Sequence, residues 1–406
     1  MTPLYDSLTT NLAHPTMAFP GHSFPPSTPL FPVAAVVEEY LRSYARTFDL
    51  LRHITLKTTV TSAAWNGASW TVETSDGAVN NFDRLIIANG HYRVPAYPDA
   101  QGLHKWLQKR KATHAAWYRK PYNLGKVVLV VGSGPSGHDI SAEMREFADI
   151  VFHSVPGATP EDSGNLKRRG RVVRFFDENT VEFEDQTMES GIDHCILATG
   201  YHTSFPFLRG IELSMPEPVP PFPRHLHDSS FHVFPLAKEL FPIQVDFPPT
   251  SIAFMGLPIK VVPFPLFEAQ ASAIVKVFSE PDSLNLAAEA VCLINRFHEL
   301  SREHGGDATR IAKAWHRYKN NYWQWDYRDA LHEFASASSD PLTVPEWEKE
   351  MYDRKDDLRK EWRALEESGE ADERVKSVGE GGFQEWVDFM RTILRRVDSG
   401  GGTAKL

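Results

Sequence analysis

Residues 126–148 constrain the fold of this chain more than any other segment. Residues 126–131 read KVVLVV, an apolar run typical of a strand buried on both faces of a parallel sheet. The run passes directly into a glycine-rich loop, and residues 138–148 (HDISAEMREFA) continue with helical spacing. The loop has the form GxGxxG and consists of Gly132, Ser133, Gly134, Pro135, Ser136 and Gly137.

A GxGxxG loop between a buried strand and a helix is typical of a dinucleotide-binding unit. The first glycine permits the tight turn, the second lets the backbone approach the pyrophosphate, and the third permits close helix–strand packing. The following helix N-terminus then offers unpaired N–H groups to phosphate. The alternative is a glycine-rich turn that only packs.

An internal repeat indicates a second unit of the same kind. In each half, a hairpin pattern precedes a short apolar strand that ends in an A-x-G turn, LIIANGH in the first half and CILATGY in the second. The turns contain Asn89, Gly90 and His91, and Thr199, Gly200 and Tyr201. Two such halves predict two dinucleotides that exchange electrons, typically a nicotinamide and a flavin. Residues 1–32 contain only Gly21, so we expect the first half to lack its opening βαβ unit.

Composition excludes several classes of protein. The 406 residues carry a net charge of −10, which argues against a nucleic-acid-binding protein. Two cysteines, Cys195 and Cys292, exclude a disulfide scaffold and a four-cysteine metal site, and no metal ligand set is predicted. Their separation also disfavours a disulfide reductase. No apolar run approaches the roughly 20 residues of a membrane helix and no secretory signal is apparent, so we expect an intracellular, cytoplasmic protein.

The choice between NADP and NAD stays open from spacing alone. An acidic residue after the second strand favours NAD, and an arginine favours NADP. This chain has His153-Ser154-Val155-Pro156 there. Four basic residues follow further along the chain, namely Lys167, Arg168, Arg169 and Arg171. They either contact a 2′-phosphate or form a solvated turn.

The composition changes beyond about residue 281. Several tryptophans lie among charged residues, which predicts an amphipathic helical extension that packs its aromatic rings on the main body. The glycine-rich tail 399–406 is predicted to be disordered. It ends Ala404-Lys405-Leu406, which is similar to a peroxisomal address.

Taken together, motifs spread over most of residues 1–280 resemble the flavin-containing monooxygenase family. They are PLYD (3–6), TNL (10–12), MAFP (17–20), YARTFDLL (44–51), NGHY (89–92), GSGPSG (132–137), ATGY (198–201), FPFL (205–208), GLP (256–258) and PFP (263–265). The family fingerprint FxGxxxHxxxY is partly kept, in His114 and Tyr118. Tyr118 favours the branch that oxygenates nitrogen or sulfur over the Baeyer–Villiger branch. Alternatively, the two residues brace a linker helix through their i, i+4 spacing.

The resemblance implies an α/β fold with two Rossmann-like dinucleotide-binding domains, the NADP domain being inserted in an incomplete FAD domain. The expected domains are residues 1–122 (FAD domain, first part), 123–212 (NADP domain), 213–280 (FAD domain, return) and 281–406 (helical extension).

It further implies that NADPH reduces FAD, that O2 adds to the flavin as a hydroperoxide, and that a soft nitrogen or sulfur centre of a small molecule takes the oxygen. Asn11 matches the family's flavin-side asparagine and is the implied catalytic residue; an ordinary loop cap is the alternative. The other implied cofactor-binding residues outside the glycine loop are Thr10, Leu12, Val60, Asn89, Gly90, His91, Thr199, Gly200 and Tyr201.

Three functional hypotheses remain. The chain is a monooxygenase that lacks its N-terminal unit, or an inactive NADP(H)-binding remnant or scaffold that does not bind FAD, or a flavin-linked dehydrogenase that turns over without oxygen. We favour the first, because Asn11 serves only the flavin site.

Overall fold

A computed structural model describes residues 3–216, 219–317 and 322–399. The chain forms two compact units, which we call the insert unit (Met1–Leu8 with Gly90–Ser204) and the body unit (Thr9–Asn89 with Phe205–Leu406). Along the sequence, most of the insert unit interrupts the body unit. The four predicted domain boundaries stay a prediction, and the C-terminal tripeptide lies outside the described residues.

The helices and strands follow in chain order. The first part of the body unit contains α1 (His14–Met17), α2 (Ala34–Thr47), β1 (Val60–Trp65), β2 (Trp70–Thr74), β3 (Val79–Phe82) and β4 (Leu85–Ile87). The insert unit contains β5 (Val94–Pro95), α3 (Leu103–Gln108), β6 (Ala112–His114), β7 (Val127–Val131), α4 (Pro135–Met144), β8 (Ile150–Ser154), β9 (Glu161–Ser163), β10 (Leu166–Arg169), β11 (Val172–Phe175), β12 (Val181–Phe183), β13 (Met188–Glu189), β14 (His194–Leu197) and β15 (Tyr201–His202). The second part of the body unit contains β16 (Ile211–Leu213), β17 (Leu226–Asp228), β18 (Val233–Phe234), β19 (Leu236–Ala237), β20 (Phe241–Pro242), β21 (Ile252–Phe254), α5 (Pro263–Ser279), α6 (Leu286–His304), α7 (Ala308–Trp315), α8 (Tyr322–Ala335), α9 (Glu346–Asp353), α10 (Lys355–Glu367), α11 (Ala371–Val375) and α12 (Phe383–Asp398).

The centre of the insert unit is a six-stranded sheet in the order β6-β14-β7-β8-β10-β9. β7 pairs in parallel with both β14 and β8, so Val131 lies opposite Leu197 on one side and Ser154 on the other. Val128, Leu129 and Val130 are fully buried, as expected for a central strand covered on both faces. The predicted buried parallel strand is therefore confirmed, and its carboxyl end carries the glycine loop.

Two sheets of the body unit contain its first strands. β1, β2 and β3 form an antiparallel meander, and the buried indole of Trp70 donates a hydrogen bond of 3.1 Å to the carbonyl oxygen of Ser251. β4 pairs in parallel with β21, with Ile87 opposite Phe254. Both short strands end in turns that contain a glycine with positive φ, Gly90 and Gly256.

β4 and β14 are the matching strands of the internal repeat, yet their surroundings differ. β14 lies between two parallel strands, and all four of its residues are buried. Within the described residues, β4 pairs only with β21, and Ile86 at its centre is 48% exposed. In the insert unit, β14 has β7 as a parallel neighbour. Among the described residues, no strand occupies the equivalent position beside β4.

Helices α6–α12 form the C-terminal region, and the predicted helical extension is confirmed. Trp362 on α10 and Trp386 on α12 are each 1% exposed and pack in one cluster with Leu30 and Phe31 from the N-terminal part of the body unit. Trp315 and Trp325 are equally buried. The tryptophans therefore hold the extension onto the rest of the body unit, because burial of such large rings is strongly stabilising. No described helix has both the length and the apolar character needed to cross a membrane.

Candidate functional site

The three glycines of the loop differ in what a side chain would contact at each position. A Cβ on Gly132 would lie 2.1 Å from the carbonyl oxygen of Ala198, and φ is +135° there. A Cβ on Gly137 would lie 2.1 Å from the carbonyl oxygen of Gly132. A Cβ on Gly134 would have no atom within 4 Å. The chain itself therefore requires the first and third glycines, whereas the second faces open space, as expected where a ligand approaches the backbone.

The loop leads directly into helix α4. Gly134 is the N-cap residue, and Pro135 occupies the first turn, where a missing N–H costs nothing. The first N–H groups of a helix have no partner within the helix, and the helix dipole favours an anion there. The 132–137 segment therefore has the geometry of a pyrophosphate site, and the residues present fit a nicotinamide dinucleotide.

Two histidines lie behind this loop. Nε2–H of His153 donates a 2.8 Å hydrogen bond to the carbonyl oxygen of Gly132, so β8 fixes the backbone of the first glycine. The rings of His153 and His138 meet edge to face at 5.1 Å. Burial lowers the pKa of His153, and the side chain is neutral at pH 7. Neither role could be predicted from the sequence pattern, although His138 directly follows the loop.

The turn after β14 is fixed by hydrogen bonds within the insert unit. Thr199 donates through Oγ1 to the carbonyl oxygen of Ala96 at 2.6 Å, and the Gly200 carbonyl accepts from the Ala96 N–H at 2.9 Å. Nε2–H of His114 donates to the same Gly200 carbonyl at 3.0 Å, while its Nδ1 accepts from the Ala116 N–H. Burial lowers the pKa of His114 to about 4, so this neutral tautomer persists at neutral pH.

Tyr118, the second residue of the fingerprint, contacts helix α4 instead. Its hydroxyl donates to Glu143 at 2.5 Å, and Tyr5 donates to Asp139 one turn earlier at 3.2 Å. Burial raises the pKa of Tyr118, and Glu143 raises it further. The HxxxY pair therefore fixes two parts of the candidate site, the β14 turn through His114 and the α4 helix through Tyr118.

The alternative in which His114 and Tyr118 brace a helix is wrong. His114 ends strand β6, where it lies opposite Leu197 of β14. Residues Ala115–Trp117 form one 3-10 turn, and Tyr118 is extended. The segment pairs with β14 as part of the sheet, so His114 and Tyr118 do not lie on one face of an α-helix despite their i, i+4 spacing.

Of the remaining predicted residues, Gly90 and His91 belong to the insert unit. His91 stacks edge to face on Tyr92 at 4.3 Å, and Tyr92 contacts Tyr201 at 5.7 Å. Gly90 and Gly200 both have positive φ, consistent with sharp turns at the two strand ends. The structure thus brings together the His91 and Tyr201 turns within one unit.

Asn11 belongs to the body unit, in a short anchored segment. Thr10 donates to the carbonyl oxygen of Leu12 at 2.8 Å, and its N–H binds the carbonyl of Pro32. Leu12 is buried in a cluster with Trp325 and other residues, whereas Asn11 is exposed. The backbone on either side of Asn11 is therefore fixed while its amide faces outward. The roles of Asn11, Thr10 and Leu12 stay predictions.

Val60 and Asn89 are also in the body unit. Val60 begins β1, lies opposite Thr74 and is 37% exposed. Asn89 is exposed in the turn after β4. Their cofactor contacts stay predictions.

The second dinucleotide implied by the resemblance does not fit the body unit in the same way. In the described residues, a strand that runs through GxGxxG into a helix occurs in the insert unit only. In that part of the chain, the β4–β21 pair has no corresponding loop and helix beside β4. The described residues thus fit the nicotinamide nucleotide, but they do not form a phosphate cradle for FAD.

Comparisons with known proteins agree with this geometry. The family model described as "Flavin-binding monooxygenase-like" matches residues 1–159 and 162–338. A thiol-specific monooxygenase of Saccharomyces cerevisiae is 31% identical over 287 residues, which are 68% of this chain and 65% of that protein. The flavin-containing monooxygenase GS-OX-like 2 of Arabidopsis thaliana is 31% identical over 86% of this chain and 74% of its own length. This chain thus spans under two thirds of the length of the yeast relative.

Among solved structures, the S-allyl-L-cysteine S-oxygenase of Allium sativum superposes with a TM-score of 0.73 and 28% identity, covering 88% of this chain and 79% of that one. FAD and NADP are the cofactors of this family of oxidoreductases. With the family model covering most of the sequence and the glycine loop, the HxxxY pair and both A-x-G turns in place, the chain belongs to the flavin-containing monooxygenase family.

Proposed function

We propose that this chain functions in an NADPH- and O2-dependent flavin monooxygenase that oxygenates a soft nitrogen or sulfur centre of a small molecule. The observation that supports the proposal is the strand–glycine loop–helix geometry of the insert unit, in which the loop from Gly132 to Gly137 leads into α4. Two of the relatives reported above act, by their names, on a thiol and on S-allyl-L-cysteine. They support sulfur as the first centre to test.

The residues of the insert unit bind and orient the nucleotide. The α4 N-terminus and the Gly134 backbone hold the pyrophosphate, and bound NADPH supplies the hydride. His153 fixes the Gly132 carbonyl from behind, and His114 fixes the Gly200 carbonyl across the neighbouring strand end. Because both imidazoles are neutral and hydrogen-bonded, their role is to position the backbone rather than to transfer protons.

Asn11 is the proposed polar group at the reacting centre. An amide donates and accepts hydrogen bonds without changing its charge, which suits a site that orients a cofactor and excludes water. The anchored backbone of Thr10 and Leu12 supports such a role, because a positioned amide needs a rigid support.

We further propose that a strand–glycine loop–helix unit outside the described residues completes the flavin half beside β4. The exposed Ile86 and the one-sided pairing of β4 support this view. No reaction step is assigned to FAD on the residues present.

A second candidate function is an NADP(H)-binding protein without flavin chemistry. The absence of a second glycine loop beside β4, within the described residues, favours it. In that case Asn11 has no catalytic role and the chain serves as a nucleotide-dependent binding or scaffold protein.

One experiment separates the two functions. The purified chain is reconstituted with FAD, alone and together with a separately expressed strand–glycine loop–helix unit from a related monooxygenase, and NADPH oxidation is followed with a thioether or thiol substrate. Sulfoxide or disulfide formation that requires the added unit and is lost in Asn11→Ala supports the monooxygenase. NADPH binding without flavin uptake under either condition supports the second function.

A further inference from the structure

The edge of the insert sheet beside β8 contains the basic group that the sequence left without a role. β10 pairs in parallel with β8, so Arg168 lies opposite His153 and Arg169 lies opposite Ser154. These positions are at the carboxyl ends of both strands. In dinucleotide-binding sheets, the carboxyl end of the strand that follows the glycine-loop helix is next to the adenosine ribose.

Strand alternation divides the basic residues between two faces. Arg169 lies over the ring of Phe152, with 5.6 Å between its guanidinium carbon and the ring centroid. On the other face, Leu166 packs in the cluster that contains Ile140 and Met144 of α4. Arg168 has the same parity as Leu166, so it projects on the face that bears α4 and the glycine loop.

Three of the four basic residues are already neutralised. Arg169 forms ion pairs with Asp162 at 2.7 Å and with Glu189 at 2.8 Å, and its side chain is 11% exposed. The other two pairs are Lys167 with Asp162 at 3.8 Å and Arg171 with Glu184 at 3.4 Å.

Arg168 is the exception. It is exposed, and none of the ion pairs found in the described residues includes it. Burial is the main reason that the pKa of His153 is low, and the nearby charges of His138 and Arg168 lower it further. The charge of Arg168 therefore acts on the face of the sheet that bears the loop. A guanidinium that belongs to none of these ion pairs thus stands next to the histidine that supports Gly132, and its cross-strand neighbour on β9 is Glu161.

We propose that Arg168 binds the 2′-phosphate of NADP(H) and sets the preference of this chain for NADPH over NADH. The inference rests on the proposed nucleotide-binding function of the 132–137 loop. A guanidinium offers a planar set of donors that matches phosphate oxygens. Arg168 thereby takes the place of the arginine that the sequence lacks directly after β8, from the adjacent strand instead of the same one.

The test measures binding and does not depend on flavin or turnover. Dissociation constants of NADPH, NADH and the fragment 2′,5′-ADP are determined by isothermal titration calorimetry with the full chain, with Arg168→Ala, and with Arg171→Ala as the matched control. Arg171 is also exposed and basic, three residues away, but is paired with Glu184. Circular dichroism verifies that each variant is folded.

We expect the full chain to prefer NADPH. Arg168→Ala weakens NADPH and 2′,5′-ADP binding by about 10- to 100-fold, the usual range for a charge-assisted hydrogen bond, and leaves NADH binding unchanged. Arg171→Ala leaves all three unchanged. An unaltered NADPH-to-NADH ratio in Arg168→Ala, or the same loss in Arg171→Ala, overturns the proposal while the loop keeps its role. A full chain that binds neither nucleotide overturns the nucleotide site itself, and the role of Arg168 with it.

Discussion

Alanine at Gly134 and alanine at Gly137 have opposite predicted effects on stability and the same effect on binding. Gly134 has φ −81° and ψ 174°, a conformation open to any residue, and its added methyl group would meet no chain atom within 4 Å. Gly134→Ala therefore leaves the unfolding free energy unchanged or raises it by about 0.4–1 kcal/mol, because the unfolded chain loses entropy. The new methyl group instead occupies the space through which the pyrophosphate approaches.

For Gly137, the structure gives the magnitude of the clash. Its Cβ would be 2.1 Å from the carbonyl oxygen of Gly132, whereas real Cβ atoms essentially never come within 3.0 Å. Helix α4 must move by about 1 Å relative to β7, so Gly137→Ala is expected to cost about 1–3 kcal/mol of stability, as overpacked sites do.

Both variants are expected to weaken NADPH binding by about 10-fold or more, since one charge-assisted hydrogen bond to phosphate is worth about 1.5–3 kcal/mol. The assay combines urea unfolding, followed by circular dichroism, with titration calorimetry of NADPH. Gly191→Ala provides the control for binding, since Gly191 lies outside the loop in the same unit and its Cβ would also meet no atom within 4 Å. Its φ of +74° makes alanine strained there, so this variant should lose stability but keep the wild-type affinity for NADPH. Wild-type affinity in Gly134→Ala would refute the assignment of the loop, and equal stability of Gly134→Ala and Gly137→Ala would refute the packing argument.

Three further predictions concern stability. Tyr118→Phe removes the hydrogen bond to Glu143 and should lower the free energy of unfolding by about 1 kcal/mol, as measured by urea unfolding. Glu143→Gln should destabilise the Tyr118→Phe variant less than it destabilises the wild-type chain. Arg328→Met leaves buried Glu348 without its ion-pair partner and should cost about 3–5 kcal/mol; a loss below about 1 kcal/mol would show that the pair is solvated. His14 is buried with its pKa lowered to about 3, so the unfolded state binds the extra proton and stability falls as pH drops from about 6.5. The free energy of unfolding of His14→Phe should therefore rise relative to that of the wild type by about 1.4 kcal/mol for each pH unit below about 6. The same stability difference between the two proteins at pH 7 and at pH 5 would contradict this prediction.

The sequence was most informative where local pattern determines structure. The strand–loop–helix of residues 127–144 could be predicted because burial of β7, the tight turn and the helix start each leave a local signature. Each depends on neighbours in sequence.

Features that depend on distant partners could not be predicted in this way. The HxxxY spacing fits a helix, yet pairing of β6 with β14, more than 80 residues away, decides its conformation. The group at 167–171 reads as four equivalent charges. Only the folded hairpins bring Asp162, Glu184 and Glu189 to three of them. The difference between Arg168 and the other three residues is therefore visible in the structure alone.

The two halves of the internal repeat differ in how completely their matching strands are paired and buried. β14 has neighbours on both sides and is fully buried, whereas β4 has one neighbour within the described residues and an exposed isoleucine at its centre. An exposed apolar strand edge favours association with another strand. Replacing Ile86 by lysine should therefore reduce self-association without loss of NADPH binding, which light scattering and calorimetry together can measure.

The most direct test is the absorbance spectrum of the purified 406-residue chain after incubation with FAD and gel filtration, followed by NADPH titration. We expect that no flavin absorbance stays with the protein and that NADPH binds with an affinity that depends on Gly134. A retained flavin spectrum that NADPH bleaches would show that the residues present assemble both sites, and it would contradict the claim that the flavin half needs a further unit beside β4.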